Sequence, residues 1–355
     1  MKKIKIMGAG LSGLSAAINL SRAGYPVDVF EKLGDCGKRF HGDLEGLENW
    51  SSQIDTLHEI KSMNIKINFD CSPFKTMYLS DGKELLKNTC KKPIFYLVKR
   101  GTIANSLDQG LKKQALDSGV NIHLNSKTTK EDMDIISVGP TVNKPFAIAK
   151  GIRFETESND IAVALLNKEA SNRGYSYLLI NNGYGCMCSV NLNMADSTVN
   201  RYFKKTYKIM TKLFKIDMKN EKNIGGIGSF LIKPRLIKNG RIYTGEAAGL
   251  QDFLWGFGMK YAINSGFLAA KSIIDNKNYK KLIKQNLLDR HKTSVANRYL
   301  AYRFSDRYYT YLLKLAKKND SWRDLLHNKY NPSLFTRTTY PFAKLVLSLK
   351  FRENF

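Results

Sequence analysis

The sequence lacks any long hydrophobic run. Its apolar stretches stay well short of the roughly 18 residues that a membrane-spanning helix needs. The hydrophobic fraction of 43% and the charged fraction of 25% are typical of a soluble globular protein. A chain of 355 residues can form two or three domains, each with its own core. We therefore expect a soluble, multidomain protein without a transmembrane segment.

Cysteine is also scarce, and its number is odd. The five residues are Cys36, Cys71, Cys90, Cys186 and Cys188. Their scatter favours reduced thiols and a cytoplasmic location. Cys186 and Cys188 lie too close together for an ordinary disulfide and too far from other ligands for a zinc site. We expect no metal site.

Acidic residues are few relative to basic ones. The chain has 57 Lys and Arg against 31 Asp and Glu, a formal charge of +26. Residues 271–355 hold 19 basic and 6 acidic residues, and aromatic residues are interleaved among them. This region could be a solvated basic face over an aromatic core, or it could make peripheral contact with anionic lipid headgroups. Nucleic acid is the least favoured partner.

The first thirty residues contain a glycine motif in a strand-turn-helix setting. GAGLSG at residues 8–13 has the form G-x-G-x-x-G and follows the apolar strand IKIM. Gly8 permits the turn, Gly10 leaves room for a pyrophosphate, and Gly13 lets the helix pack close to the strand. The two lysines and apolar run at the start also resemble a signal peptide, but the glycine spacing favours the nucleotide-binding interpretation.

A second strand follows and ends at Glu31, 18 positions after Gly13. An acid there can accept hydrogen bonds from ribose hydroxyls and disfavours the 2′-phosphate of NADP. These residues alone leave FAD and NAD open. The residues of this block that we expect to bind the cofactor are Gly8, Ala9, Gly10, Leu11, Ser12, Gly13, Glu31 and Lys32.

The middle of the chain changes character. A strand leading to Arg100 is followed by a helix with Ile103, Leu107, Leu111 and Ala115 on one face. Strand-like segments with Gly and Asn breaks then predict an antiparallel sheet within 151–235, together with an amphipathic helix over 197–215 that a Ser or Thr caps. NIGGIG at residues 223–228 lacks a strand-then-helix frame, so we do not predict a second dinucleotide site there.

A second glycine-rich block lies at residues 245–266, GEAAGLQDFLWGFGMKYAINSG. It follows a short strand, contains no Lys or Arg before position 260, and leads into a helix predicted over 259–274. The remaining residues, 276–355, are predicted to be mainly helical.

These blocks, in this order, resemble the FAD-dependent oxidoreductases that include the aromatic hydroxylases and the geranylgeranyl reductases. The resemblance covers about residues 1–60, 95–140 and 235–275. It implies an α/β fold of the glutathione-reductase type: a Rossmann-type FAD-binding domain, an inserted antiparallel-sheet substrate domain and a C-terminal helical segment. The expected FAD-binding domain comprises 1–60, 95–150 and 235–275, the substrate domain 61–94 and 151–234, and the basic helical region 276–355.

The resemblance also implies roles for individual residues. Glu246 in YTGEAAG would hold the ribityl chain, although the family usually has Asp there. Cys36 in GDCGKR resembles a cysteine near the flavin in many geranylgeranyl reductases. The further residues that we expect at the cofactor are Arg39, Arg100, Gly245, Gly256, Gly258 and Met259. The family's loop before G-x-G and its aromatic Y-x-W-x-F-P signature are not matched in this chain.

The implied activity is hydride transfer between FAD and an apolar alkene, of isoprenoid or lipid type. Trp255 and Phe257 would line the substrate pocket under the sheet of 151–235, and Cys36, His41 and Tyr184 are the candidate proton donors. A reduced nicotinamide or a ferredoxin-like protein would supply electrons. Two alternatives stay open: an FAD-dependent monooxygenase, and a flavoprotein that binds a membrane or partner with secondary redox activity.

Overall fold

A six-stranded sheet forms the centre of the first layered unit. The structure is a computed structural model that describes residues 1–139, 146–192, 198–304 and 306–350. Numbered in chain order and given in spatial order, the strands are β15 (Ile237–Lys238), β16 (Arg241–Tyr243), β9 (Ile135–Ile136), β1 (Ile4–Met7), β2 (Val27–Phe30) and β8 (Asn121–His123). Neighbouring strands are parallel except for the β15–β16 pair. The carboxyl ends of five strands therefore meet at one edge of the sheet.

Three helices share a hydrophobic core with this sheet: α1 (Leu11–Arg22), α3 (Leu107–Asp117) and α5 (Met259–Ile274). A short helix, α2 (Thr56–Ser62), joins the same core. α1 and α5 approach closely because small residues face each other. A Cβ added to Gly266 would lie 2.1 Å from the Ser12 carbonyl oxygen, and Ser15 Oγ donates to the Ile263 carbonyl at 2.8 Å.

A seven-stranded sheet forms the second layered unit. In spatial order its strands are β14 (Lys219–Gly228), β10 (Ala147–Glu155), β13 (Tyr184–Leu192), β12 (Tyr175–Asn181), β11 (Ile161–Leu165), β5 (Thr76–Ser80) and β6 (Leu85–Thr89). All pairs are antiparallel except β11 with β5. Helix α4 (Val199–Leu213) packs on one face through the buried Met210.

A three-stranded antiparallel sheet lies beside the two larger sheets. Its order is β3 (His41–Glu48), β7 (Phe95–Gly101) and β4 (Cys71–Phe74). β3 contacts both the seven-stranded sheet and α5. Residues on β3 can therefore reach both layered units.

The last part of the chain is helical. It comprises α6 (Tyr279–Ile283), a π-helical turn (Lys284–Leu288), α7 (Asp289–Phe304), α8 (Asp306–Lys317), α9 (Trp322–Tyr330) and α10 (Leu334–Lys350). Ala343 and Leu347 of α10 are fully buried in one cluster with Val295 of α7. In the described ranges, every helix is too short or too polar to cross a bilayer.

The architecture confirms the predicted fold class, and helix α5 has the predicted limits. Two local predictions were wrong. Ile103 was placed on the helix face, but α3 begins at Leu107 because the Ser106 side chain caps it by accepting the Gln109 N–H. Gly245 begins a 3₁₀ turn, Gly245–Ala248, rather than an open loop. Residues 223–228 lie within strand β14.

Some predictions fall on parts of the chain that the structure leaves undescribed. Ser197, one of the two residues expected to cap α4, lies outside the described residues, as do 140–145 and 351–355 of the predicted units. The domain bounds stay predictions.

Candidate active site

The glycine motif forms a tight turn between β1 and α1. Gly8 has φ +100°, and a Cβ there would lie 2.7 Å from the Ser137 carbonyl oxygen. A Cβ on Gly13 would lie 2.0 Å from the Gly8 carbonyl oxygen. Gly10 differs, because its Cβ would meet only Ser137 O, at 4.0 Å. Two glycines therefore serve internal packing, and Gly10 leaves open space in front of the turn.

The N-terminus of α1 points to an anion as its ligand. Gly10 is the N-cap, no side chain caps the helix, and the first turn contains no acidic residue. The first N–H groups of a helix lack intrahelical acceptors and carry partial positive charge. This end of the helix is therefore suited to a phosphate group. Leu11 and Ser12 are buried there.

Glu31 anchors the glycine turn from the end of β2. Its Oε2 accepts the Ala9 N–H at 2.9 Å, and its Oε1 accepts the Leu33 N–H at 2.9 Å. A carboxylate has about four acceptor positions, so roughly two remain for sugar hydroxyls. The neighbouring Lys32 is exposed. Glu31 thus has a structural role that the sequence did not indicate, beside the predicted sugar contact.

The second glycine block comes back to the same turn. Gly245 has φ +55°, and a Cβ there would lie 2.7 Å from Ser12 Oγ. The Gly245 N–H donates to Ser265 Oγ of α5 at 2.8 Å. Ser137 and Thr244, at the ends of β9 and β16, share a hydrogen bond of 2.6 Å between their hydroxyls. The structure therefore brings the two predicted halves of the site into contact.

An ion pair joins the loop after β2 to the second glycine block. Arg39, in the loop after β2, donates to Glu246 Oε2 at 2.8 Å. Glu246 Oε1 accepts the Ser229 N–H at 2.9 Å. A Cβ on Gly139, three residues after β9, would lie 2.6 Å from Arg39 Nη1. The Arg39 side chain is 38% exposed, so it has room to move away from Glu246.

Arg100 is buried, and its guanidinium is hydrogen-bonded to other protein groups. Its guanidinium forms a two-point contact with Asp108 of α3, at 2.9 and 3.1 Å, and donates to Glu45 at 2.9 Å. It also lies 3.9 Å from the centre of the Phe40 ring. The structure thus places Arg100 in a buried ion pair that fixes α3 against β3 and β7.

The loop between the second glycine block and α5 is organised by one buried acid. Asp252 accepts the Trp255 N–H at 2.7 Å and the Leu254 N–H at 3.2 Å. It also accepts the Tyr330 hydroxyl at 2.9 Å, from α9. Burial raises the pKa of Asp252 above its ordinary value. A single carboxylate therefore ties this loop to the C-terminal helices.

The loop ends at the N-terminus of α5. Gly256 has φ +84°, which favours glycine, and its carbonyl accepts the Gln251 amide at 2.8 Å. Gly258 is the N-cap of α5, without a side-chain cap or an acid in the first turn. Met259 is buried beneath it. This second helix N-terminus has the same features as that of α1.

Trp255 and Phe257 border an apolar cavity of about 620 Å³. The seven-stranded sheet contributes Leu79, Ala164 and Tyr175, and the Tyr175 ring meets the Trp255 ring edge-on at 5.4 Å. Phe257 packs edge-on against Trp50 at 4.8 Å. The C-terminal helices supply a large part of the wall: Tyr308, Tyr311, Leu315, Trp322, Leu326 and Tyr330.

A buried lysine lies directly behind the α5 N-terminus. Lys260 is only 5% exposed, and its Nζ lies 2.9 Å from Glu59 Oε2 and 3.5 Å from Glu48 Oε1. It also donates to Ser51 Oγ at 3.1 Å. This cluster was not predicted from the sequence. A helical projection would have placed Lys260 beside the buried Ile263, which was the available signal.

The three candidate proton donors lie apart from the cavity wall. None of them is among its lining residues in the described part of the chain. Cys36 is fully buried, and burial raises the pKa of its thiol to about 12. His41 is exposed. The Tyr184 hydroxyl donates to the Gly42 carbonyl at 2.8 Å and accepts from Arg153 at 3.0 Å.

Asp43 on β3 is a titratable residue that the sequence did not reveal. Burial, and then the charge of Glu45, raise its pKa to about 6. Such an acid changes charge near neutral pH.

The described residues contain no group of three or more His, Cys, Asp or Glu suited to a metal ion.

The chain matches known sequences over short segments. A family model described as an NAD(P)-binding Rossmann-like domain matches residues 6–44. Hydroxysqualene dehydroxylase from Sinorhizobium fredii (strain NBRC 101917 / NGR234) is 46% identical over 48 residues, 14% of this chain and 12% of that protein. 1-Hydroxycarotenoid 3,4-desaturase from Flavobacterium sp. (strain P99-3) is 36% identical over 85 residues, 21% of this chain and 17% of that protein. The matches thus span less than a fifth of either relative.

Similarity in structure extends over nearly the whole chain. A geranylgeranyl bacteriochlorophyll reductase-like protein from Thermoplasma acidophilum has a TM-score of 0.69 at 14% identity, covering 99% of both chains. The flavin-dependent brominase Bmp2 has a TM-score of 0.63 at 14% identity, covering 99% of this chain and 100% of that one. The chain therefore has the fold of the FAD-dependent oxidoreductases that its sequence resembles, with a Rossmann-like nucleotide-binding segment at its N-terminus.

Proposed function

We propose that the chain binds FAD across its two glycine blocks and transfers hydride between that flavin and an apolar alkene. The observation that carries the proposal is the cavity of about 620 Å³. Its wall includes Trp255 and Phe257, which flank Gly256 directly before the α5 N-terminus. An apolar substrate space thus adjoins the helix end at which we expect the flavin ring.

The residues present fit FAD. Gly10 leaves open space beside the uncapped N-terminus of α1, which suits the pyrophosphate. Glu31 keeps acceptor capacity for the ribose, and Glu246 is the residue that the resemblance assigns to the ribityl contact. Arg39 would have to turn from Glu246 toward the pyrophosphate, which its exposure allows.

Bound FAD would supply the two-electron hydride chemistry. The chain's own contribution is to position and shield. The N–H groups at the start of α5 would stabilise negative charge on a reduced flavin ring. Trp255 and Phe257 would exclude water from the space between ring and substrate. Hydride addition to one alkene carbon delivers both electrons, and a proton must be added to the other carbon to balance atoms and charge. A reduced nicotinamide or a ferredoxin-like protein would supply the electrons to the flavin.

The substrate class rests on two lines of support. The cavity wall is mainly aromatic and aliphatic, which suits a hydrocarbon chain. The two curated relatives are named for hydroxysqualene and a hydroxycarotenoid, both of which are polyprenoids. We therefore infer a small apolar substrate of isoprenoid or lipid type.

The variant Gly10→Val tests the cofactor site with little risk to folding. Gly10 has an ordinary extended backbone, and its added side chain would enter open space rather than protein. We expect an unchanged melting temperature and a loss of FAD affinity of roughly 100-fold, which is about 2.8 kcal/mol. Gly226→Val is the matched control, because a Cβ there meets nothing within 4 Å. Normal flavin absorbance in purified Gly10→Val would contradict the proposed site.

Anaerobic turnover tests the reaction. The protein, photoreduced with its flavin, is mixed with a polyprenyl alcohol in the absence of oxygen. Return of the oxidised flavin spectrum, with a product that has gained two hydrogens, would support alkene reduction. Product that forms only with oxygen and carries a new hydroxyl would instead identify the monooxygenase alternative.

A further inference from the structure

Helix α10 has an apolar stripe on its outer side. Phe335, Phe342, Leu345 and Leu349 are 59%, 67%, 60% and 50% exposed. Their spacing of seven, three and four residues keeps them on one side of a helix. The opposite side is buried through Thr336, Ala343 and Leu347. We call these four exposed residues the α10 stripe. Large apolar side chains concentrated in this way mark an interaction surface.

The charged residues of α10 itself all have one sign. Residues 334–350 contain Arg337, Lys344 and Lys350 and no acidic residue. Arg337 and Lys344 are exposed, and their seven-residue spacing sets them along one border of the stripe. Residues 271–355 as a whole carry 19 basic and 6 acidic side chains. The surface therefore combines exposed apolar groups with a positive border, a pattern typical of helices that lie in a membrane interface.

The stripe is continuous with the mouth of the apolar cavity. Phe335 belongs to the stripe and also lines the cavity. Phe304 and Tyr311 likewise line the cavity while remaining 51% and 46% exposed. Lys329 and Arg307 add positive charge to the same wall. The cavity thus opens beside the start of α10.

We infer that the α10 stripe docks on an anionic lipid bilayer and brings the cavity mouth against it. An apolar molecule could then pass from lipid to cavity without crossing water. Charge complementarity favours an anionic bilayer over a second copy of the chain, because two copies pairing through the stripe would bring like charges together. Docking requires neither flavin nor turnover, so its failure would leave the proposed reaction untouched.

Sedimentation of the full chain with vesicles tests the docking. The vesicles contain phosphatidylcholine alone or with phosphatidylserine at about one part in three. We expect binding only with phosphatidylserine, weakened by salt because the Debye length shortens. Phe342→Ser with Leu345→Ser should lower partitioning by about 100-fold or more, since each large side chain contributes about tenfold or more. Both residues lie outside the cavity wall.

Matched controls separate docking from a general loss of apolar or charged surface. Leu116→Ser with Ile227→Ser removes two exposed apolar side chains elsewhere, and we expect it to leave binding unchanged. Arg337→Gln with Lys344→Gln should weaken binding by roughly fivefold for each charge. Lys204→Gln with Lys208→Gln on α4 removes the same charge from the opposite face of the seven-stranded sheet and should have little effect.

Three results would overturn the inference. The wild-type chain could stay in the supernatant with phosphatidylserine vesicles at low salt. The control pairs could reduce binding as much as the stripe variants. Sedimentation velocity could show a dimer that the Phe342 and Leu345 substitutions dissolve, with no vesicle binding, in which case a second copy covers the stripe. Circular dichroism and melting temperature confirm that each variant folds.

Discussion

Removing the positive charge of Lys260 should destabilise the protein by about 3–5 kcal/mol. The amine is 5% exposed and lies between the carboxylates of Glu48 and Glu59, at 3.5 and 2.9 Å. Lys260→Met preserves most of the side-chain volume but leaves both carboxylates without their cation. Removing one partner of a buried ion pair typically lowers the free energy of unfolding by this amount, because the remaining charge stays desolvated.

The cost should depend on pH. Burial alone would raise the pKa of Glu59, but the charge and hydrogen bond of Lys260 outweigh it, so the pKa lies below its ordinary value of 4.5. A lowered pKa in the folded state means that this acid stabilises the fold above about pH 4.5 and loses that contribution as pH falls. Without Lys260, burial dominates and raises the pKa of Glu59. The deficit of Lys260→Met should therefore be largest at neutral pH and shrink toward pH 4, where Glu59 can take up a proton.

Urea unfolding at pH 7 and pH 4.5 measures both effects. Lys260→Met with Glu59→Gln should lose at least about 1 kcal/mol less than the sum of the two single variants, because the residues are in contact. Lys271→Met, an exposed lysine on the same helix, should stay within about 0.5 kcal/mol of wild type. If Lys260→Met loses less than 1 kcal/mol at pH 7, or if the two effects add, the ion cluster does not act as argued.

Three further outcomes are expected. Relative to wild type, Asp43→Asn should gain up to about 3 kcal/mol of stability as the pH rises from 4 to 8, because the pKa of Asp43 is raised to about 6 and its buried carboxylate becomes unfavourable when it ionises. Urea unfolding across that pH range measures the gain, and a difference that does not change with pH would contradict it. Tyr330→Phe removes a hydrogen-bond donor from the buried Asp252, so it should lower the free energy of unfolding by about 1.5–3 kcal/mol and speed proteolysis of the 252–258 loop. An unchanged cleavage rate and melting temperature would argue against that link. Cys36 should resist iodoacetamide at pH 8 in the folded protein, because its thiol is buried and its pKa is about 12; rapid labelling seen by peptide mass spectrometry would show an accessible thiolate.

Much of the nucleotide-binding unit could be predicted because its determinants are local. The G-x-G-x-x-G spacing at Gly8, the alternation of β1 and the small residues of α5 each act within a few residues of sequence. The structure places Gly245 against Ser12 as the two-block interpretation requires. The contact between these distant segments could be predicted only from the family resemblance, since periodicity does not indicate which glycine turns lie together.

The remainder depended on contacts across long sequence separations. In the sequence, Lys260 resembles a surface lysine. In the structure it lies between Glu48 and Glu59, whose carboxylates come from β3 and α2. The aromatic residues of α8 and α9 were recognised as a possible core. Their position on the substrate cavity, however, follows from how the C-terminal helices fold back onto the loop around Asp252. Composition carries no information of that kind.

The hydrogen bond between Asp252 and Tyr330 has a consequence for how this architecture can be exchanged among relatives. A C-terminal region that both closes the cavity and satisfies a buried acid in the loop before α5 is not a detachable module. In a chimera whose C-terminal region comes from another protein and has no hydroxyl at the position of Tyr330, Asp252 would lose a hydrogen-bond donor. Such a chimera should have a destabilised loop as well as a new cavity wall. Evolution of a new substrate range would therefore require the loop and the tail to change together.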